Sequence, residues 1–154
     1  MTSGIVISNA SPLIALEQIG QLALLEQLFN SVVVPPAVVR EVSASVALPV
    51  WIAEQALSQP VGPRILNASL GAGETEAISL SLEVRARLLI LDDRPARRLA
   101  QALGLSIIGT LGVLLAAKQR NLLPAVRPSL AALLQFDFRI APALYDQVLR
   151  DAGE

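Results

Sequence analysis

The run Leu88-Leu89-Ile90-Leu91 is followed at once by two acids, Asp92 and Asp93. Four β-compatible apolar residues with no polar member describe a strand covered on both faces, which is the environment of a parallel sheet. Arg94-Pro95 then opens a helical pattern. Open α/β sheets bind ligands outside the carboxyl ends of their strands, so the acidic pair is expected at a binding edge. Adjacent negative charges repel, and a bound cation is the simplest counterweight.

The flanking pattern extends this picture. Residues 5–7 form a short apolar strand candidate ending at Ser8-Asn9. Ser11-Pro12 has the helix-start signature, with Ser as N-cap and Pro at the first helical position. Helices are expected at 13–19 and 22–29, a strand at 32–34 stopped by Pro35-Pro36, and a helix at 37–44. Residues 49–57 are expected to be helical, and Ile65-Leu66 to be a short edge strand. Gly71-Ala72-Gly73 is a turn opening a helix from 74 to 85. A strand at 88–91, a helix at 96–103 closed by Gly104, a strand at 105–108 and a helix at 111–120 follow. Helices at 129–134 and 142–149 end the chain. Alternation of helix and strand predicts an α/β fold with a mostly parallel sheet flanked by helices and a helical C-terminal tail. No repeat or linker divides residues 1–154, so one domain is expected.

Composition narrows the chemistry. The 154 residues include no Cys and no His. Cys/His zinc sites, Ser-His-Asp triads, thiol nucleophiles and imidazole acid/base catalysis are therefore excluded. Carboxylate and carbonyl oxygens remain, and these favour Mg²⁺ or Mn²⁺. Net charge is −1, so contact with nucleic acid needs a local basic patch. Arg94, Arg97 and Arg98 supply one at helical spacing behind the acids, placed to hold phosphates; a solvated helix face is the plainer reading. Aromatic residues make up only 3%, so base stacking is not evident. The longest apolar stretch, 107–117, is interrupted by Gly109, Thr110 and Gly112 and is shorter than the ~20 residues of a membrane helix. With the first basic residue at Arg40 there is no positively charged leader. A cytoplasmic protein away from the membrane is expected.

Several oxygen-bearing residues are expected at the same sheet edge: Asn9 after the first strand, Asp92 and Asp93 after a later one, with Glu41 and Glu74 reaching in from flanking helices. Together they can bind one or two divalent cations that activate water against a phosphodiester. Each has a plainer role as well. Glu74 can complement a helix dipole, Asp93 can be an N-cap, Glu41 can be a surface acid, and Glu76 suits a solvated helix position.

Four segments in order resemble the PIN-domain family, in the branch related to VapC-type toxin ribonucleases. They are residues 6–16, with Ser8-Asn9-Ala10-Ser11-Pro12 at their centre; Gly73-Glu74 with Ala77-Ile78; Leu89-Ile90-Leu91-Asp92-Asp93-Arg94; and Ile108-Gly109-Thr110-Leu111-Gly112. The resemblance covers almost the whole chain. It implies a Rossmann-like sheet whose clustered acids bind Mg²⁺ or Mn²⁺ and cleave RNA. By position it assigns the first-strand acid to Asn9, the helix acid to Glu41, the third to Glu74 and the fourth to Asp93, with Asp92 beside it. Ser11 matches a hydroxyl position near the metal. A homodimer and an antitoxin protein partner are implied too. Asn9 departs from the usual Asp and removes one negative charge, so a PIN-like module with weakened or lost catalysis is the alternative.

Two other α/β readings fit less well. Gly71-Ala72-Gly73 is an incomplete dinucleotide fingerprint, with Glu76 where a small residue belongs. A phosphoacceptor receiver domain needs its acidic pair after the first strand, where Asn9 stands.

Overall fold

A computed structural model describes residues 4–154; residues 1–3 of the expected domain lie outside the described residues. Five strands form one parallel sheet: β1 (Val6–Ser8), β2 (Val32–Val34), β3 (Ile52–Glu54), β4 (Leu88–Ile90) and β5 (Ile107–Ile108), in the order β3-β2-β1-β4-β5. The helices are α1 (Ala10–Gln18), α2 (Leu24–Phe29), α3 (Pro36–Val42), α4 (Pro63–Leu66), α5 (Ala72–Glu83), α6 (Arg94–Ala102), α7 (Thr110–Gln119), α8 (Arg127–Gln135) and α9 (Pro142–Asp151).

Side chains alternate across each strand, and the two faces of the sheet feed two apolar clusters. Val6, Val32, Val34 and Ile90 pack with α1, α2, α3, α7, α8 and α9. Ile7, Leu89 and Leu91 pack with α4, α5 and α6. The unbroken apolar run of β4 is thereby explained: Ile90 serves one face while Leu89 and Leu91 serve the other. The α/β architecture read from the sequence is the observed one. Among the described residues no helix is long and apolar enough to cross a membrane.

Three local expectations are corrected. Residues 52–54 are a strand, not part of a helix over 49–57. Ala53 and Glu54 lean toward helix on propensity alone, but the edge of β2 is open and β3 fills it in register, Val32 opposite Ile52 and Val34 opposite Glu54. Ile65-Leu66 belongs to α4, a single turn begun by Pro63, rather than to an edge strand. The N-cap of α1 is Asn9, with Ser11 and Pro12 inside the first turn. Pro12 is tolerated there because that N–H has no intrahelical acceptor. Gly104 does close α6, at φ +86, a left-handed conformation that glycine adopts without steric cost.

Two carboxylates fasten the connections. Glu83, at the end of α5, accepts from the Ser58 and Gln59 N–H groups and the Ser58 hydroxyl at 2.8–3.0 Å. Glu154 accepts from the Val126 N–H at 2.7 Å, the Arg127 N–H at 3.2 Å and Lys118 Nζ at 3.0 Å, tying α7, the start of α8 and the end of α9 together. The Ser58 hydroxyl and N–H hold Glu83 below the ordinary carboxylate range. The Val126 N–H, with Lys118, does the same for Glu154. A depressed folded-state pKa contributes stability that is present above the unfolded value and lost as pH falls through the folded one. The pair Glu83→Gln and Glu154→Gln is therefore expected to flatten the acid limb of stability. Urea midpoints measured from about pH 7 to about pH 3 check this; parallel curves for variant and wild type would contradict it.

Candidate metal and nucleic-acid site at the carboxyl edge of the sheet

The chain leaves β1 toward β2 and β3 on one side and later takes up β4 and β5 on the other. The crevice of such a sheet opens at this switch, above the carboxyl ends of β1 and β4. Asn9 stands there. Its N–H donates to the Ile90 carbonyl at 2.9 Å, extending the ladder by one bond. Its side chain is 1% exposed. Nδ2 donates to Glu74 Oε2 at 3.0 Å, while Oδ1 is buried with no hydrogen-bond partner. A buried acceptor left unpaired costs about 1–3 kcal/mol, so Oδ1 marks a place where a donor or a cation fits.

Glu74 is the third residue of α5, and the start of that helix is bound to α3. Glu41 Oε1 accepts the Gly73 N–H at 2.9 Å. A Cβ on Gly73 would lie 2.5 Å from Glu41 Oε2, so the approach requires glycine inside the first turn. In the other direction Glu76 Oε1 accepts the Ala37 N–H of α3 at 2.9 Å. The two helices exchange carboxylates, each acid satisfying an orphan N–H at the other's N-terminus. Glu76 is thus not the solvated helix position expected of it, because its carboxylate supplies the cap that Pro35 has no side chain to provide.

The acidic pair divides in the same manner. Asp93 is the N-cap of α6, its Oδ2 accepting from the Ala96 N–H at 3.0 Å. Asp92 turns to α7: Oδ1 accepts the Thr110 N–H at 2.8 Å and Oδ2 accepts the Thr110 hydroxyl at 2.6 Å. Thr110 is fully buried, so Asp92 is the group that pairs both of its donors. Arg97 reaches back along α6 and donates from Nη1 to the Leu91 carbonyl at 2.7 Å. Repulsion between the two acids is offset by two helix N-termini.

The sequence-derived residues therefore form two neighbouring groups. Asn9, Glu41 and Glu74 meet around the first turn of α5. Asp92, Asp93, Ser11, Arg94 and Arg97 line a groove of about 730 Å³. Arg98 is exposed and does not line it. Among the described residues no three acids converge closely enough to hold an ion by themselves. The donor set still suits a divalent cation: a buried amide oxygen without a partner, the Glu74 carboxylate bonded to the same amide, and Glu41 at the adjacent residue Gly73. Sequence reading missed Thr110 and Gly73. Both stand in segments that carry the family resemblance, but nothing local marks them as partners of acids that lie 18 and 32 residues away along the chain.

One family model, DUF3368, described as a PIN domain, matches residues 5–154. No curated protein and no solved structure gave a significant match.

Capping roles have a stability signature. Asp92→Ala leaves the buried Thr110 N–H and hydroxyl unpaired and is expected to cost about 2–3 kcal/mol. Asp93→Ala removes an exposed N-cap and costs about 1 kcal/mol, whereas Asp93→Ser retains the cap. Equilibrium urea unfolding measures all three; equal losses at Asp92 and Asp93 would contradict the division of labour.

Proposed function

The chain belongs to the PIN-domain family, whose members are in general nucleases, and we propose that it is a metal-dependent endoribonuclease of that family. The single observation that carries this reading is the buried, unpartnered Oδ1 of Asn9 beside Glu74 at the topological switch. Asn9, Glu74 and the neighbouring Glu41 would hold Mg²⁺ or Mn²⁺, Asp93 would face the substrate from the groove, and Asp92 fixes the start of α7. A bound ion would supply Lewis acidity toward a phosphodiester and would lower the pKa of a water. The chain's own residues bind and orient the substrate. Ser11 and Arg94 line the groove beside Asp93, where the hydroxyl can donate to a phosphate oxygen and the guanidinium can pair with it. Arg97 is tethered to Leu91 and steadies the loop that carries both aspartates.

The four VapC-like segments support a finer reading: the toxin of a toxin–antitoxin pair, cytoplasmic, homodimeric and held by an antitoxin protein. Exposed Leu134, Phe136 and Leu144 are apolar side chains that such a partner would cover.

A second reading has its own observation. Where an aspartate would repel Glu74, the Asn9 amide nitrogen donates to it, so Glu74 has a partner without a cation. This favours a PIN-like module that binds RNA with weakened or no cleavage. A labelled RNA panel incubated with Mn²⁺ or with EDTA separates the two. The nuclease reading expects Mn²⁺-dependent cleavage that falls about 100-fold in Glu74→Gln and also falls in Asp93→Ser, which keeps its stability. RNA bound but uncut in Mn²⁺ would establish the module instead. Asn9→Asp is expected to raise Mn²⁺ affinity in titration calorimetry; no change would count against Asn9 as a ligand.

A further inference from the structure

The groove that begins at Ser11 and Asp93 is closed on its far side by the segment joining α8 to α9. Phe138 and Arg139 line it, and they also line the adjoining cavity of about 770 Å³, together with Arg94. Gly109 and Gly112 lie on its floor. A Cβ on Gly109 would stand 2.8 Å from Asp92 Oδ1 and 2.9 Å from Arg97 Nη1, and one on Gly112 would stand 2.6 Å from Ile108. A side chain at either position would thus collide with residues that line the groove. Asp137, at φ +61, turns the chain into the wall segment.

We infer that Phe138 and Arg139 form a nucleotide subsite that grips single-stranded RNA next to the acidic residues; this rests on the RNA-cleaving reading of that edge. Two observations support it. Phe138 is half-buried against the core and also lines the groove. Arg94, Arg97 and Arg139 all line the groove, and none is paired with a carboxylate among the described residues, where Lys118–Glu154 is the one ion pair. Guanidiniums without a carboxylate partner beside a partly exposed aromatic ring suit a phosphate and a base together, with Arg94 and Arg139 the two not tethered to a backbone carbonyl. The acids Asp92, Asp93 and Asp137 also line the groove, so charge alone does not make it a polyanion trap and stacking must contribute. A duplex keeps its base faces stacked and cannot offer one to Phe138.

The test is binding without cleavage. Fluorescence anisotropy with a labelled single-stranded oligoribonucleotide of about 12 nucleotides, in EDTA, reads affinity directly. Phe138→Leu retains the apolar contact with the core and removes the ring; it is expected to weaken binding about tenfold, with a duplex of the same sequence unaffected. Arg139→Ala, at an exposed position, is expected to weaken binding about fivefold and to lower the salt slope by about one. Wild-type affinity in both variants, equal losses for duplex and single strand, or no binding by the wild-type protein would each overturn the subsite. RNA held in this manner but not cut in Mn²⁺ would sink the nuclease reading and leave the subsite standing. Cleavage in Mn²⁺ with binding indifferent to both variants would do the reverse.

Discussion

Helices that follow the strands of a parallel sheet begin at its carboxyl edge, where their unpaired N–H groups and positive dipole ends collect. The site in this protein depends on how that constraint is met. Asp93 caps α6, Asp92 pairs with Thr110 at the start of α7, Glu76 caps α3 and Glu41 caps α5. Three acids of the expected cluster, Glu41, Asp92 and Asp93, are each drawn to a different helix, and Glu76 serves a fourth. The arrangement fixes the helices against one another and at the same time keeps carboxylates at the edge where a ligand binds.

Asn9 is the exception that gives the edge its chemistry. It is the N-cap residue of α1, yet its side chain makes no capping bond. Its amide nitrogen donates to Glu74, and its buried side-chain oxygen has no donor. An aspartate in its place would add charge beside Glu74 and demand a cation; asparagine lets the two side chains coexist. Asn9 therefore both offers a ligand and reduces the need for one, which is why the nuclease and the weakened module meet at this residue.

Much of the fold was legible because the strongest patterns are local. The two-sided apolar run of β4, the Pro35-Pro36 stop and Gly104 after α6 each act through neighbouring residues. Residues 52–54 were not legible, because a helix-leaning segment became a strand only when β2 presented an open edge. The site divides along the same line. Asn9, Glu41, Glu74 and Asp92-Asp93 stood out as candidates by their position after strands and on adjoining helices. Their partners did not: Gly73 and Thr110 meet their acids through tertiary contact. Phe138 and Arg139 lie in an irregular stretch that carries no periodic signal at all.

The nuclease we propose needs the Asn9 amide oxygen as a cation ligand at the switch point. Nuclear magnetic resonance of the side-chain amide of Asn9, assigned by its disappearance in Asn9→Asp, tests this. A saturable shift of that resonance pair on titration with Mg²⁺, lost in Glu74→Gln, is expected. A resonance pair that stays in place at saturating Mg²⁺, while RNA is still cut, would contradict it.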